Sequence, residues 1–410
     1  MQFKDIIGQE ATKQHLVNMY QQNRLSHALL FLAREGVGGL SLARAFSQFI
    51  VCEQVNGKSN QSHTSASLFG EDAPSVSNPI DLNDSCGTCP ACLKASKLIH
   101  PDIHYSYPAI KKKSDDAPYS SDFAIEWREY ILQNPYGNSY EWLQFINAEN
   151  KQGNISAKEC DEINRKLSLK SFEAGYKILI MWMPEFLGKE GNKLLKLIEE
   201  PPPNTLFIFV AENQQLILPT ILSRTQLVKI PLLHQQDIVQ QLIHKHGLSN
   251  DIAQSIAILC DGNYREAMEY LQQVEDNWEV MLRDWLNSII KSGPVAQVKW
   301  IEDISKIGRE KQKQFLKYFT QLLEYAIRIR TIGALGHNSS NAMKEGQQSF
   351  IDFAIRFNRL CDFSQQEAIV KELDTATYHI ERNANAKILF HALTIKLYHI
   401  ISNKSVILVS

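Results

Sequence analysis

In the first part of the chain, short unbroken apolar runs alternate with longer stretches whose apolar residues recur at helical spacing. Ala28 to Leu32, Lys177 to Met181 and Leu206 to Val210 suit strands buried on both faces, as in a parallel sheet covered by helices. A glycine turn follows the first run, and then Leu42, Phe46, Phe49 and Ile50 mark one face of a helix. A further helix, carrying Leu194, Leu195, Leu197 and Ile198, is stopped by Pro201-Pro202-Pro203, whose rings cannot continue it. Ser156-Ala157-Lys158-Glu159 has the spacing of a capping box, in which hydroxyl and carboxylate each satisfy an amide at a helix start, and Cys160, Ile163 and Leu167 follow on one face. A last short strand is expected to begin at Leu227 and to close an α/β domain near Ile230.

Past Pro231 the pattern turns helical. Ile238, Leu242 and Ile243 mark a short helix ended by Gly247, and Ile252, Ile256 and Leu259 another ended by Gly262. From about Trp278, helix-period segments at Lys311 to Arg330, Phe350 to Cys361 and Ala384 to Ile401 run without strand punctuation. The expected plan is an α/β domain over 1–230, a small helical domain over 231–275 and an all-α domain over 276–410. Two stretches interrupt the first. Residues 53–85 are rich in Ser, Asn, Gly and Asp and read as a flexible insertion, while 104–152, scattered with aromatics, reads as an irregular insertion or small subdomain.

Composition narrows the class without naming a function. A chain of 410 residues exceeds what one core holds, and 44% apolar with 21% charged residues excludes a wholly disordered or fibrous chain. A formal charge of −2 supplies no field to steer the molecule onto nucleic acid. No run reaches the roughly 18 consecutive apolar residues of a membrane span, and Met1 to Asp5 opens no secretory segment, so no membrane partner and a cytoplasmic location are expected.

The turn after the first strand reads Ala33-Arg34-Glu35-Gly36-Val37-Gly38-Gly39-Leu40-Ser41. An active phosphate-binding loop reads G-x-x-x-x-G-K-[ST], its lysine neutralising phosphates and its hydroxyl holding Mg²⁺. Here Ala33 replaces the first glycine, Gly39 the lysine and Leu40 the hydroxyl, leaving Gly36, Gly38 and Gly39 as a degenerate loop or a plain glycine turn. The strand Lys177 to Met181 should be followed by an acidic pair for metal and water, yet Trp182 and Met183 stand there, with Glu185 two residues beyond. Hydrolysis is therefore not expected, and neither is a functional ATP and Mg²⁺ site.

Cys86, Cys89 and Cys92 supply three thiols at C-x-x-C spacing, and a closed structural Zn²⁺ site needs a fourth ligand. Cys52 is the expected fourth, giving a zinc module over about 52–92, with His100 and His104 as the nearby substitutes. Arg224, in Ser223-Arg224-Thr225, and Arg265 read on their own as ordinary surface arginines.

Taken together, Ile7-Gly8-Gln9-Glu10, Leu25 to Phe31, Asn192 to Pro202 and Leu218 to Arg224 resemble the clamp-loader AAA+ family over about the first 270 residues. The resemblance implies an α/β AAA+ P-loop-type domain with a zinc-module insertion, then a helical lid and an all-α collar that joins five subunits in a ring. Ser223-Arg224-Thr225 resembles that family's serine-arginine-cysteine motif, whose arginine acts in trans as a finger on the adjacent subunit's ATP; Thr225 departs from the cysteine. Arg265 stands at the position of the second sensor arginine. The missing lysine and acids point within the family to the stationary delta-prime type, partnered by gamma/tau and delta subunits and, through the assembly, by the sliding clamp and primed DNA. A divergent active ATPase of gamma/tau type and a zinc-dependent nucleic-acid binder are the alternatives.

Overall fold

The three apolar runs are strands of one parallel sheet. The structure, a computed structural model, describes residues 1–57, 83–112, 117–148, 153–275, 278–333, 345–382 and 384–402, so most of the 53–85 insertion lies outside the described residues. Strands β1 (Ala28–Ala33), β2 (Ile103–Ser106), β3 (Lys177–Trp182), β4 (Thr205–Ala211) and β5 (Gln226–Ile230) lie in the order β2-β3-β4-β1-β5. Every pairing is parallel, with Leu30 opposite Phe209 and Met181 opposite the same Phe209. The chain divides into two units, Met1–Ile238 with Asp261–Glu266, and Val239–Cys260 with Ala267–Ser410.

Side chains alternate along each strand, and both sets are covered. Leu30, Leu179, Met181, Phe207 and Phe209 join Cys160, Ile163 and Leu167 of α6 (Ala157–Ser168) and Ile198 of α7 (Leu195–Glu199) in one core. The opposite set, Leu29, Phe31, Ile178, Ile180 and Ile208, is equally buried, and α2 (Gly39–Val51) packs against β1, β3 and β4. Burial on both faces is why these strands read as unbroken apolar runs. Helices α1 (Glu10–Gln21) and α3 (Pro90–Ser96) pack on α2, while α8 (Pro219–Leu222) and an irregular 3-10 stretch over Pro184–Leu194, broken at Gly188, lie with α6 and α7. The helix expected around Leu194 is accordingly short.

Two details differ from expectation. Ser156 caps α6 as its spacing predicts, accepting from the Glu159 amide at 3.1 Å, but the Glu159 carboxylate does not return to the cap. It is buried and holds the Ser120 amide and hydroxyl instead, so a long-range contact outcompetes the local one. Within 104–152, β2 is an edge strand whose half-buried His104 and Tyr105 interrupt any apolar run, and α4 (Ala124–Gln133) and α5 (Ser139–Phe145) have an aromatic core of their own. Tyr107 stacks on Trp127 at 3.8 Å between ring centroids, and Trp142 meets both edge-on while its indole donates to the Pro108 carbonyl.

The second unit is helical, with α10 (Asn250–Leu259), α12 (Trp278–Asn287), α13 (Pro294–Lys306), α14 (Arg309–Gly333), α15 (Glu345–Leu360), α16 (Phe363–Glu381) and α17 (Ala386–Ser402). Trp285 stacks on Trp300 at 4.6 Å and donates to Thr394. Helices α9 (Gln235–His246) and α11 (Tyr264–Glu275) have residues in both units.

Asp102 sets the pairing of β2 with β3. Its buried carboxylate accepts the amides of Phe172, Glu173 and Ala174 at 2.5–2.8 Å, fixing the turn that leads into β3. Burial favours the neutral acid, but the three donors outweigh it and hold this carboxyl below its usual value. Asp102→Ala should cost about 2–3 kcal/mol in chemical denaturation at neutral pH, because three amides lose their acceptor. As the folded-state carboxyl titrates below the unfolded one, the loss should be full above the unfolded value and vanish as pH falls through the folded one.

Candidate functional site

The direction of strand order changes at β1: the chain builds β2, β3 and β4 on one side of it, then crosses to place β5 on the other. In an open α/β sheet the crevice beyond the carboxyl ends of the strands at such a point is where ligands bind. The loop between Ala33 and Gly39 stands there. Gly36 and Gly38 hold φ values of +74° and +89°, which glycine adopts without strain.

This chain's own residues cover that loop. A Cβ on Gly38 would lie 2.6 Å from a ring carbon of Tyr136, and one on Gly36 would lie 1.5 Å from the side-chain oxygen of Asn263. Ser41, one residue beyond the hydroxyl position, is fully buried and donates to the Pro135 carbonyl at 2.6 Å. Gly39, at the lysine position, has no room for a side chain: its Cβ would lie 2.6 Å from that of Ala33.

Trp182 and Met183 stand at the end of β3, and Glu212 follows β4. Trp182 is buried against Trp127, and Met183, at φ +58°, donates its amide to the Val210 carbonyl. Glu185 accepts the amides of Glu212 and Asn213 at 2.6 and 2.8 Å. Glu212 is pushed up to about 7 by burial and by the nearby carboxylates of Glu35 and Glu185. Crowded carboxylates repel a polyphosphate rather than attract it.

The two arginines lie in different settings. Arg265 is largely buried and pairs with Glu35 at 2.5 Å and Glu141 at 2.8 Å, while the neighbouring Tyr264 amide donates to the Gly36 carbonyl. The structure thus brings Arg265 to the glycine loop. Arg224 follows α8, and its guanidinium bonds to Glu199, the Thr220 carbonyl and the Ser223 hydroxyl, with about a third of the side chain exposed at 35%.

Cys52, Cys86, Cys89 and Cys92 converge, their sulfurs all within 4.8 Å of one another. Cys52 ends α2. The Cys86 knuckle is stitched to the chain start, since Asp84 accepts the amides of Phe3 and Lys4 and Gln48 donates to Ser85. Amides of Cys86, Cys89 and Cys92 point at the sulfurs of Cys52, Cys86 and Cys89 at 3.3–3.4 Å, as suits thiolates. Donation from the Cys92 thiol brings Cys52 down to about 5, and the same contact pushes Cys92 far up. Four sulfurs this close cannot all be charged without a cation, so the donor set fits a metal ion. His100 is occupied elsewhere, its Nδ1 accepting the Asp102 amide.

A family model described as DNA polymerase III, delta subunit, matches residues 8–234, more than half of the chain. The chain belongs to this clamp-loader family. The DNA polymerase III subunit delta′ of Escherichia coli K12 is 22% identical over 316 residues, 76% of this chain and 73% of that one. The delta′ subunit of Bacillus subtilis 168 is 25% identical over 62% of this chain and 56% of its own, and the tau subunit of the same strain 24% over 66% and 37%. The match thus spans less than two thirds of either Bacillus protein.

Family membership agrees with the quoted motifs, but Tyr136 and Asn263, which lie against the glycine loop, are not among them. Tyr136 carries no spacing that marks it, and the pairing of Glu35 and Glu141 with Arg265 joins residues far apart in the chain. No described helix is long and apolar enough to cross a membrane. Gly39→Ala should lower stability by about 1–3 kcal/mol, since the added carbon meets Ala33 in the packed interface of α2 with β1. Thermal or chemical unfolding measures this, and an unchanged midpoint would show that α2 can shift away.

Proposed function

We propose that this chain is a delta-prime-type subunit of the replicative clamp loader in the DNA polymerase III holoenzyme, hydrolysing no ATP itself and supplying Arg224 in trans to a neighbouring subunit's ATP. The reading rests above all on Gly39: an active loop needs a lysine there, and this position has no space for a side chain. Trp182 and Met183 in place of the acids support it further. On this reading, residues 1–230 are the AAA+ domain, 231–275 the lid and 276–410 the collar. Gamma/tau and delta subunits are its neighbours, and the clamp and primed DNA are met through the assembly.

Arg224 suits a finger. Its guanidinium is held in one orientation by Glu199, Thr220 and Ser223 yet stays partly accessible, so little freedom is lost when it meets a phosphate. A loader reconstituted with Arg224→Ala should assemble normally but lose clamp- and DNA-stimulated turnover, by up to about 10³ at the site it serves. Unchanged turnover in a fully assembled loader removes the finger role.

The four cysteines hold a structural Zn²⁺ on this reading, with no ligand position left open for chemistry. The purified chain should carry about one zinc per molecule. Cys89→Ser should lose most of the metal and lower the melting temperature, as should a strong chelator. Full stability in metal-free protein would mean that the sulfurs need no cation.

A further inference from the structure

The 135–141 turn, which leads from α4 into the first turn of α5, contacts the glycine loop, the start of α2 and Arg265. Pro135 takes the Ser41 hydroxyl, and the Tyr136 ring lies on Gly38 while its hydroxyl accepts the Ile7 amide at 2.9 Å. The same ring meets Tyr264 edge-on at 5.0 Å. Asn138 donates to Glu35, and Glu141 pairs with Arg265, which also pairs with Glu35. Asn138 and Glu141 additionally form the capping box of α5, so the turn is rigid before it meets the loop.

The contacts to Arg265 are of the kind that a phosphate would make. A phosphate would offer anionic oxygens to the arginine, and Glu35 and Glu141 offer carboxylate oxygens instead. An aromatic ring lies over the loop that a phosphate would otherwise contact. The ties join the chain start, the glycine loop and the segment Asp261–Glu266, all within one unit.

We propose that the 135–141 turn is a built-in ligand that plugs the degenerate nucleotide site and ties the glycine loop to Arg265 permanently, so that this region does not respond to nucleotide. The inference rests on the non-hydrolysing reading above and gives it a physical cause, but it concerns this chain alone and involves no neighbouring subunit.

Hydrogen exchange on the full-length chain tests it, with ATP·Mg²⁺ and ADP as probes. In the wild type, protection at 34–41 and 261–266 should be the same with and without either nucleotide. Tyr136→Ala should speed exchange in both segments together, by about tenfold, while β3 and β4 stay protected. If Tyr136→Ala unfolds the sheet, the shape-conserving pair Glu35→Gln with Glu141→Gln carries the test, with faster exchange expected at 261–266. Nucleotide-dependent protection in the wild type overturns the plug, as does loosening of 135–141 alone in Tyr136→Ala. If the sheet unfolds in Tyr136→Ala, unchanged exchange at 261–266 in the carboxylate pair overturns it. A failed plug with normal Arg224 dependence in the reconstituted loader leaves the finger standing, and the converse result leaves the plug.

Discussion

Helix α2 packs so closely on β1 and β4 that Gly39 has no space for a Cβ, and the geometry of the loop before it is set by that contact. With all thirteen residues of the helix buried, its position is dictated from every side. The helix starts where the loop ends, so the loop must turn within Gly36 to Gly38 at left-handed angles. It ends at Cys52, so the same element fixes the first metal-site sulfur. One buried helix therefore positions both features that the sequence singles out, at opposite ends of its length.

Much of this was legible in the sequence because it is local. The strands around Leu30, Leu179 and Phe209 announce themselves as apolar runs, since both sheet faces are covered. The departures of Gly39 and Leu40 from the active pattern are visible because a phosphate-binding loop has fixed spacing. Cys86, Cys89 and Cys92 are likewise a local pattern. Cys52 was harder, since its place depends on a helix end meeting a knuckle more than thirty residues away, which the Asp84 and Gln48 bonds secure.

What the sequence did not disclose is mostly long-range. Glu159 illustrates the rule: its spacing predicts a local cap, but Ser120 offers two donors in a buried setting, where a charge-assisted bond is stronger. The aromatic segment is the larger case. Trp127 and Tyr130 share the buried face of α4, but Tyr107 and Trp142, on which they pack, come from other parts of the segment and add no period of their own. Periodicity detects a face turned toward a core, and it is silent where the residues make a core among themselves.

The charges at the carboxyl edge of the sheet fit the same picture. An ATP site must gather positive charge to hold a polyphosphate, yet here Glu35, Glu141, Glu185 and Glu212 surround one arginine and two backbone amides. Two of these carboxylates neutralise Arg265, and a third caps the end of β4. Glu212, left in their field, is the one driven up to about 7. A lysine at position 39 would meet Ala33 at its first side-chain carbon and would lie near carboxylates that already have partners. The space beside the glycine loop is thus taken by Tyr136 and Asn263, and its charge is mainly that of carboxylates.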